Sequence, residues 1–329
     1  MDMQTLVDGF PGQLEEALRI GKSAVLSEPE HAIRNVLICG LGGSGIGGTI
    51  ISELSFDSSP VPVSVTKGYF IPAFVDQHSL VVISSYSGNT EETLGCMEQA
   101  IAKKAHVVCI TSGGKVAELA KEHKLDIILI PGGMPPRACL GYYLAQQVII
   151  FAKHKLLPAS AVAGLENSIA LLKAEQAFIR SQAETLAKSL HGRTPVIYCT
   201  TNFEGIAIRF RQQLNENAKV LCWHHVIPEM NHNELVGWAG GSEDVAVVLF
   251  SDPDEYERNN YRIAINKDII TRFTPHFTNI IAKGKSQIEK SIYLIHLGDW
   301  TSVYLANLRG VDAIEVNVIN FLKGELSKK

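Results

Sequence analysis

A carboxylate, an imidazole and a dense run of hydroxyls are the residues whose spacing could do chemistry. Asn215-Glu216-Asn217 closes a stretch in which Phe203, Ile206, Ala207, Phe210 and Leu214 recur at helical intervals, so Glu216 falls near the polar end of an amphipathic helix. A carboxylate there could do acid/base chemistry, although from position alone a helix-end glutamate is usually just solvated. His232 sits in Pro228-Glu-Met-Asn-His-Asn-Glu-Leu-Val-Gly-Trp238, among amides and carboxylates and off any apolar stripe, where an imidazole can shuttle a proton near neutral pH. His224, His225, Glu229, His232 and Glu234 also crowd together, but their spacing fits no standard zinc pattern and no metal is expected.

The hydroxyls lie in Ser84-Ser-Tyr-Ser-Gly-Asn-Thr-Glu-Glu-Thr93, directly after the apolar run Leu80-Val-Val-Ile83. A strand ending there delivers Ser85, Ser87 and Thr90 to the carboxyl edge of a sheet. Gly88 permits a tight turn, and a following helix offers unpaired N–H groups and the positive end of its dipole, so a phosphate dianion could be held without a lysine. The same residues suit an ordinary helix cap, with Asn89 and Glu92 as a capping box, and both uses are compatible. Glu91 and Glu92 oppose an anion unless they point away from it. Earlier, Gly40-Leu-Gly-Gly-Ser-Gly45 matches G-x-G-x-x-G between a strand and a helix. The next strand region, Val63-Ser-Val-Thr-Lys-Gly68, lacks the acidic residue that would hold a dinucleotide ribose, so NAD and FAD are disfavoured and no cofactor is expected. The glycines suit either a tight strand-to-helix turn or the close approach of backbone N–H groups to a small anion or sugar, with Ser44 adding a donor.

The elements that must position these residues are legible as alternating β-branched runs and helical patterns, the signature of a parallel sheet wrapped by helices. Expected strands are 33–39, 61–66, 80–84, 106–111 and 126–130 in the first half, then 196–199, 219–223, 244–250 and 277–281. Expected helices cover 10–26, 138–153, 165–190, 203–217, 255–273 and 287–308, with a last one ending near Leu326. The echo of Val36-Leu-Ile-Cys39 in Val196-Ile-Tyr-Cys199 suggests a duplicated α/β unit. The expected division is a helical arm (1–30), a first domain (31–157), a helical connector (158–192) and a second domain (193–329).

With 329 residues, 46% hydrophobic and 19% charged, the chain is long enough for two cores and too apolar for a disordered tail or solvated coiled coil. A net charge of -4 without a block of like charges disfavours a nucleic-acid partner. Apolar runs such as Val245–Phe250 fall far short of a membrane span. The stretch from Met1 to Leu18 carries Asp2, Asp8, Glu15 and Glu16 but no Lys or Arg, the wrong charge for a targeting segment. Six scattered cysteines without a C-x-x-C pair read as reduced thiols of a cytoplasmic protein.

The glycine loop and the serine loop together resemble the sugar isomerase (SIS) fold, which implies two tandem doubly wound parallel-sheet domains of the flavodoxin-like, three-layer αβα type. Adding Pro135-Pro136-Arg137, Asn-Glu216-Asn, Pro-Glu-Met-Asn-His232-Asn and Leu322-Lys323, the chain from about residue 30 onward resembles the bifunctional phosphoglucose/phosphomannose isomerases. It departs near Asp252–Asn266, which is longer and more charged than the pattern. The resemblance implies aldose–ketose interconversion of glucose 6-phosphate and mannose 6-phosphate with fructose 6-phosphate through a cis-enediol. Glu216 would be the proton carrier, His232 and Lys323 the acid/base groups that open the ring, and Arg137 the cation beside the enediolate. Gly42, Gly43, Ser44, Ser85, Ser87 and Thr90 would bind the phosphate and sugar. It also implies a homodimer whose site borrows His232 from the neighbouring subunit. The alternative is a non-catalytic phosphosugar-sensing SIS module, which would keep the serine loop without needing Glu216, His232 and Arg137. Such sensors usually carry a DNA-binding domain, for which the short N-terminal arm leaves no room. A glucosamine 6-phosphate synthase is disfavoured because residue 2 is Asp where a leading Cys is required.

Overall fold

The computed structural model describes residues 2–241 and 243–328. In chain order the elements are α1 (Met3–Asp8), α2 (Phe10–Ser23), β1 (Asn35–Cys39), α3 (Gly42–Leu54), β2 (Val63–Thr66), β3 (Ser79–Ser84), α4 (Glu91–Ala102), β4 (His106–Thr111), α5 (Gly114–Glu122), β5 (Asp126–Leu129), α6 (Leu140–Lys153) and α7 (Ser160–Leu190). There follow β6 (Thr194–Thr200), α8 (Glu204–Ala218), β7 (Trp223–Ile227), α9 (Glu234–Gly237), β8 (Val245–Ser251), α10 (Glu257–Ile270), β9 (Phe277–Ile281), α11 (Gln287–Arg309) and α12 (Asn317–Leu326). Two compact units result: an N-terminal one of residues 9–174 and 284–292, and a C-terminal one of 1–8, 175–283 and 293–329.

The N-terminal unit is built on a wholly parallel sheet in the order β2-β1-β3-β4-β5. Every residue of β3 is buried, as expected for a central strand covered on both faces. Alternation along the strands divides the core into two layers. Leu37, Cys39, Val81, Ile83, Val107 and Cys109 pack on Cys96, Met97 and Ala100 of α4 and Val116 and Ala120 of α5. On the opposite face α3 lies so close to β1 that a Cβ on Gly48 would stand 2.8 Å from Ile38 Cγ2. α2 is fastened to α6 by Gln13, whose Nε2 donates to Ala138 O and whose Oε1 accepts from Gly141 N, each at 2.8 Å.

The C-terminal unit repeats the plan with four parallel strands, β7-β6-β8-β9. One face buries Val196, Tyr198, Ile227, Met230, Trp238, Val247, Leu249 and Ile270. On the other, α8 packs on α11: Arg209 Nε and Nη2 reach Asp299 Oδ1 and Oδ2 at 3.2 and 2.9 Å, and Asn217 Nδ2 donates to Ser302 Oγ at 2.9 Å. Burial pushes the Asp299 carboxyl up, and Arg209 pulls it back toward the charged form. The α/β class and doubly wound plan expected from the sequence are therefore present.

Three local expectations change. The strand read at 219–223 lies instead at Trp223–Ile227, because Lys219 takes the left-handed cap position of α8 (φ +55°) and Leu221 is 88% exposed. The connector helix starts at Ser160, five residues earlier than 165. The capping box fails: Thr90 is the N-cap of α4 without a side-chain cap, and Asn89 Oδ1 accepts from Lys115 N at 3.1 Å instead.

Candidate active site

In the N-terminal unit the chain leaves β1 toward β2 and leaves β3 toward β4, in opposite directions along the sheet. The loops at the carboxyl ends of β1 and β3 therefore part at the switch point and open a crevice, the usual ligand position of such sheets. The glycine loop and the hydroxyl loop are those two loops. They are sewn together: Ser84 Oγ donates to Ser44 O at 3.1 Å, and Ser44 Oγ accepts from Tyr86 N at 3.2 Å. Ser85 Oγ donates to Thr90 Oγ1 at 3.3 Å, and Ser87 Oγ accepts from Asn89 N at 3.2 Å. Ser44 and Ser85 are buried, Thr90 is half-buried and Ser87 is exposed. Hydroxyl hydrogens rotate, so these groups can turn their donors onto an entering anion. α3 and α4 both begin at this edge and bring unpaired N–H groups with them. Glu92 lies beside the Tyr69 phenol, and the nearby Glu92 carboxylate is the chief cause of that phenol's raised pKa, so its charge faces the β2–β3 connection.

Arg137 arrives at the same edge on a 3-10 turn, Pro136–Ala138, and is buried. The turn lies directly on Gly43, where a Cβ would stand 2.7 Å from Pro136 C and O and 2.8 Å from Arg137 N. Gly88, at φ +67°, likewise admits no side chain, since a Cβ would fall 1.8 Å from Gly113 O. Tyr86 joins these pieces, its hydroxyl accepting from Met134 N at 3.0 Å and its carbonyl from Ser112 Oγ at 2.7 Å. Burial pushes its phenol pKa up, which keeps the hydroxyl neutral. Beneath Ser44 the Tyr143 phenol is fully buried and its pKa raised for the same reason. Gly42, Gly43, Ser44, Ser85, Ser87, Thr90 and Arg137, each singled out from the sequence, meet at one edge, together with Tyr86, which the sequence reading passed over. Its only sequence signal was a lone aromatic between two serines just past the end of β3.

In the C-terminal unit Glu216 is half-buried at the end of α8. It lines a cavity of about 520 Å³ with Asn215, Leu221, Glu315 and Val316 before α12, and Val318 and Ile319 in its first turn. Lys219, another residue passed over, ties this corner together. Its Nζ donates to Glu216 O, Asp312 O and Glu315 O at 2.6, 2.9 and 2.7 Å. Lys323 is exposed on α12. His232 is exposed on the 3-10 turn Glu229–His232 that follows β7. α8 ends where β7 begins, with Asn215 Nδ2 donating to Val220 O at 2.7 Å, whereas His232 lies beyond the far end of β7. The strand's length, roughly 13 Å, therefore separates Glu216 from His232 of the same chain. The histidines and carboxylates around His232 are engaged separately. His224 Nε2 is 3.6 Å from Glu204 Oε1, its pKa lowered chiefly by burial; Glu229 accepts from Asn233, and Glu234 from Tyr198 and Trp223. Among the described residues no three metal-ligating side chains gather.

A doubled, doubly wound sheet with a hydroxyl-lined switch point is the architecture of SIS-type proteins, and solved structures agree. The C-terminal domain of glucosamine-fructose-6-phosphate aminotransferase from Francisella tularensis superposes with a TM-score of 0.76 at 17% identity, covering 95% of this chain and 98% of that one. Residues 179–326 match the bacterial phospho-glucose isomerase C-terminal SIS domain. Among curated relatives, a bifunctional phosphoglucose/phosphomannose isomerase from Caldicellulosiruptor bescii is 36% identical over 332 residues, covering 98% of each chain. One of the same name from Aquifex aeolicus is 37% identical over 298 residues, covering 90% of this chain and 91% of its own. The chain belongs to the bifunctional phosphoglucose/phosphomannose isomerase family.

Proposed function

We propose that the chain interconverts glucose 6-phosphate and mannose 6-phosphate with fructose 6-phosphate, with Glu216 as the group that moves the proton. The observation that carries this reading is that Glu216 is half-buried and lines a cavity of about 520 Å³, on a helix fixed by buried partners. Once the sugar ring is open, Glu216 takes the C2 proton of the aldose. The electron pair forms the C1–C2 double bond as the aldehyde π pair moves onto O1, the hydroxyl proton of O2 passes to O1 through the cis-enediol(ate), and the same carboxylic acid returns the carbon-bound proton to C1 as the ketose carbonyl forms at C2. Glucose and mannose derivatives present that proton on opposite faces, and rotation about C2–C3 of the open chain brings either to one base. Arg137, whose charge is permanent, stabilises the enediolate oxygens. Ser44, Ser85, Ser87 and Thr90 hold the phosphate with the N–H groups of Gly42 and Gly43.

Ring opening needs a proton donor at the ring oxygen and an acceptor at the anomeric hydroxyl, the roles given to His232 and Lys323. The placement of Glu216 and His232 at opposite ends of β7 supports a homodimer in which each chain lends its histidine to the other. The test is Glu216→Gln, assayed on both aldose phosphates and for binding of fructose 6-phosphate. Turnover should vanish while binding persists, because only the proton carrier is lost. Unchanged turnover removes Glu216 from the mechanism.

A further inference from the structure

His232 is exposed, yet the turn that carries it is pinned from several sides. Met230, at its centre, is fully buried among Tyr198, Ile227 and Trp238. Asn231 Nδ2 donates to Asn266 Oδ1 at 2.6 Å, and Asn266 is itself buried on α10. Asn233 Nδ2 donates to Glu229 Oε1 at 2.9 Å, while Asn233 Oδ1 accepts from Glu234 N at 2.6 Å. The heaviest anchor is Glu234. Its Oε1 accepts from the Tyr198 hydroxyl of β6 and from Trp223 Nε1 of β7 at 3.0 Å, and Trp238 Nε1 donates back to the Tyr198 oxygen at 3.0 Å. Two aromatic donors from neighbouring strands thus meet on one oxygen, two residues from His232. A solvated glutamate in a surface turn has no need of such partners. A histidine that must present its ring to a substrate at fixed range does need its backbone held, since an ångström of misplacement costs about 10²-fold in rate.

We infer that Glu234, gripped by Tyr198 and Trp223, is a positioning residue that fixes the turn bearing His232. The inference rests on His232 having the ring-opening role proposed above. Glu234 touches no substrate and acts through the histidine, so its loss is felt in kcat and leaves KM for the sugar phosphate in place.

The test is a double-mutant cycle on the full chain, with kcat and KM measured on glucose 6-phosphate for Glu234→Ala, His232→Ala and the pair. Glu234→Ala should lower kcat about 10²-fold at constant KM. The double variant should be no slower than His232→Ala alone, because a displaced histidine and an absent one come to the same thing. Glu234→Gln keeps an acceptor oxygen for both donors and should restore kcat to within a few-fold of the unsubstituted protein. Where Glu234→Ala compromises folding, Trp223→Phe removes one donor from a partly exposed position. It should slow the protein several-fold and have no effect in the His232→Ala background. A double variant slowed by the product of the two single effects, or a Glu234→Ala protein of full kcat, overturns the inference. Full turnover by His232→Ala sinks the role of the histidine and this inference with it, whereas a slow His232→Ala protein with multiplicative losses sinks the inference alone.

Discussion

Gly43→Ala is the sharpest probe of how the glycine loop and Arg137 depend on each other. The added methyl would meet Pro136 C and O at 2.7 Å and Arg137 N at 2.8 Å, where ordinary contact begins near 3.4 Å. Those atoms are main chain, so no rotamer change relieves the clash, and the turn bearing Arg137 must retreat by about 0.7 Å. Misplacement on that scale lowers turnover by roughly 10- to 10²-fold, and the overpacking costs about 1–3 kcal/mol of stability. Gly42→Ala is the matched control. A Cβ there meets nothing within 4 Å, but φ is +55°, so the change costs about 1–2 kcal/mol of backbone strain and leaves Arg137 where it is. The assay is kcat and KM on both aldose phosphates beside thermal midpoints for the three proteins. Gly43→Ala should lose turnover far beyond Gly42→Ala at similar cost in stability. Equal turnover for the two variants would refute the claim that Gly43 is small so that the Arg137 turn can sit on it.

Two further outcomes test other parts of the reading. Ser87→Ala with Thr90→Ala should chiefly raise KM, because hydroxyls that grip the phosphate do so in ground and transition states alike, and a fall in kcat alone contradicts that role. His296 is buried in the C-terminal unit, and burial lowers its pKa from 6.5 to about 4, while its Nε2 accepts from Trp300 Nε1 at 3.2 Å. The unfolded chain takes up that proton first as pH falls, so stability should decline from about pH 6.5 to about pH 4, by up to about 3 kcal/mol. Burial also lowers the pKa values of His106, His154 and His224, which tilt the curve the same way. The comparison is therefore with His296→Gln, whose denaturation midpoints at pH 7 and 4.5 should differ less; an identical slope counts against the assignment.

The central strands β1, β3 and β4 of the N-terminal unit were legible because they are buried on both faces, and so read as unbroken apolar runs that no helix-period pattern mimics. The hydroxyl loop was legible for a related reason: a strand must end where Ser, Gly, Asn and Thr accumulate. The C-terminal unit was harder. Val220-Leu221-Cys222 looks like the start of a strand, but Lys219 has turned the chain into a left-handed cap and Leu221 faces solvent. The true strand holds Trp223-His-His-Val-Ile227, whose paired histidines suggested ligands when they are strand residues. Asn89 failed as a cap because its amide oxygen serves Lys115 in the first turn of α5, a partner that no local pattern reveals. The separation of Glu216 from His232 was likewise hidden, since a helix end and a strand exit lie close in sequence and become distant only when the strand is drawn out straight.

Lys219 bears on how this corner would look across related sequences. Its ammonium is met by three main-chain oxygens, a feature every amino acid carries, and by the Glu315 carboxylate only at 4.0 Å, so most of this knot does not depend on which side chains stand at 312 and 315. Covariation between 219 and 312 should accordingly be faint, since the contact between them runs through a main-chain oxygen. Anchors of this kind come to light through coordinates alone.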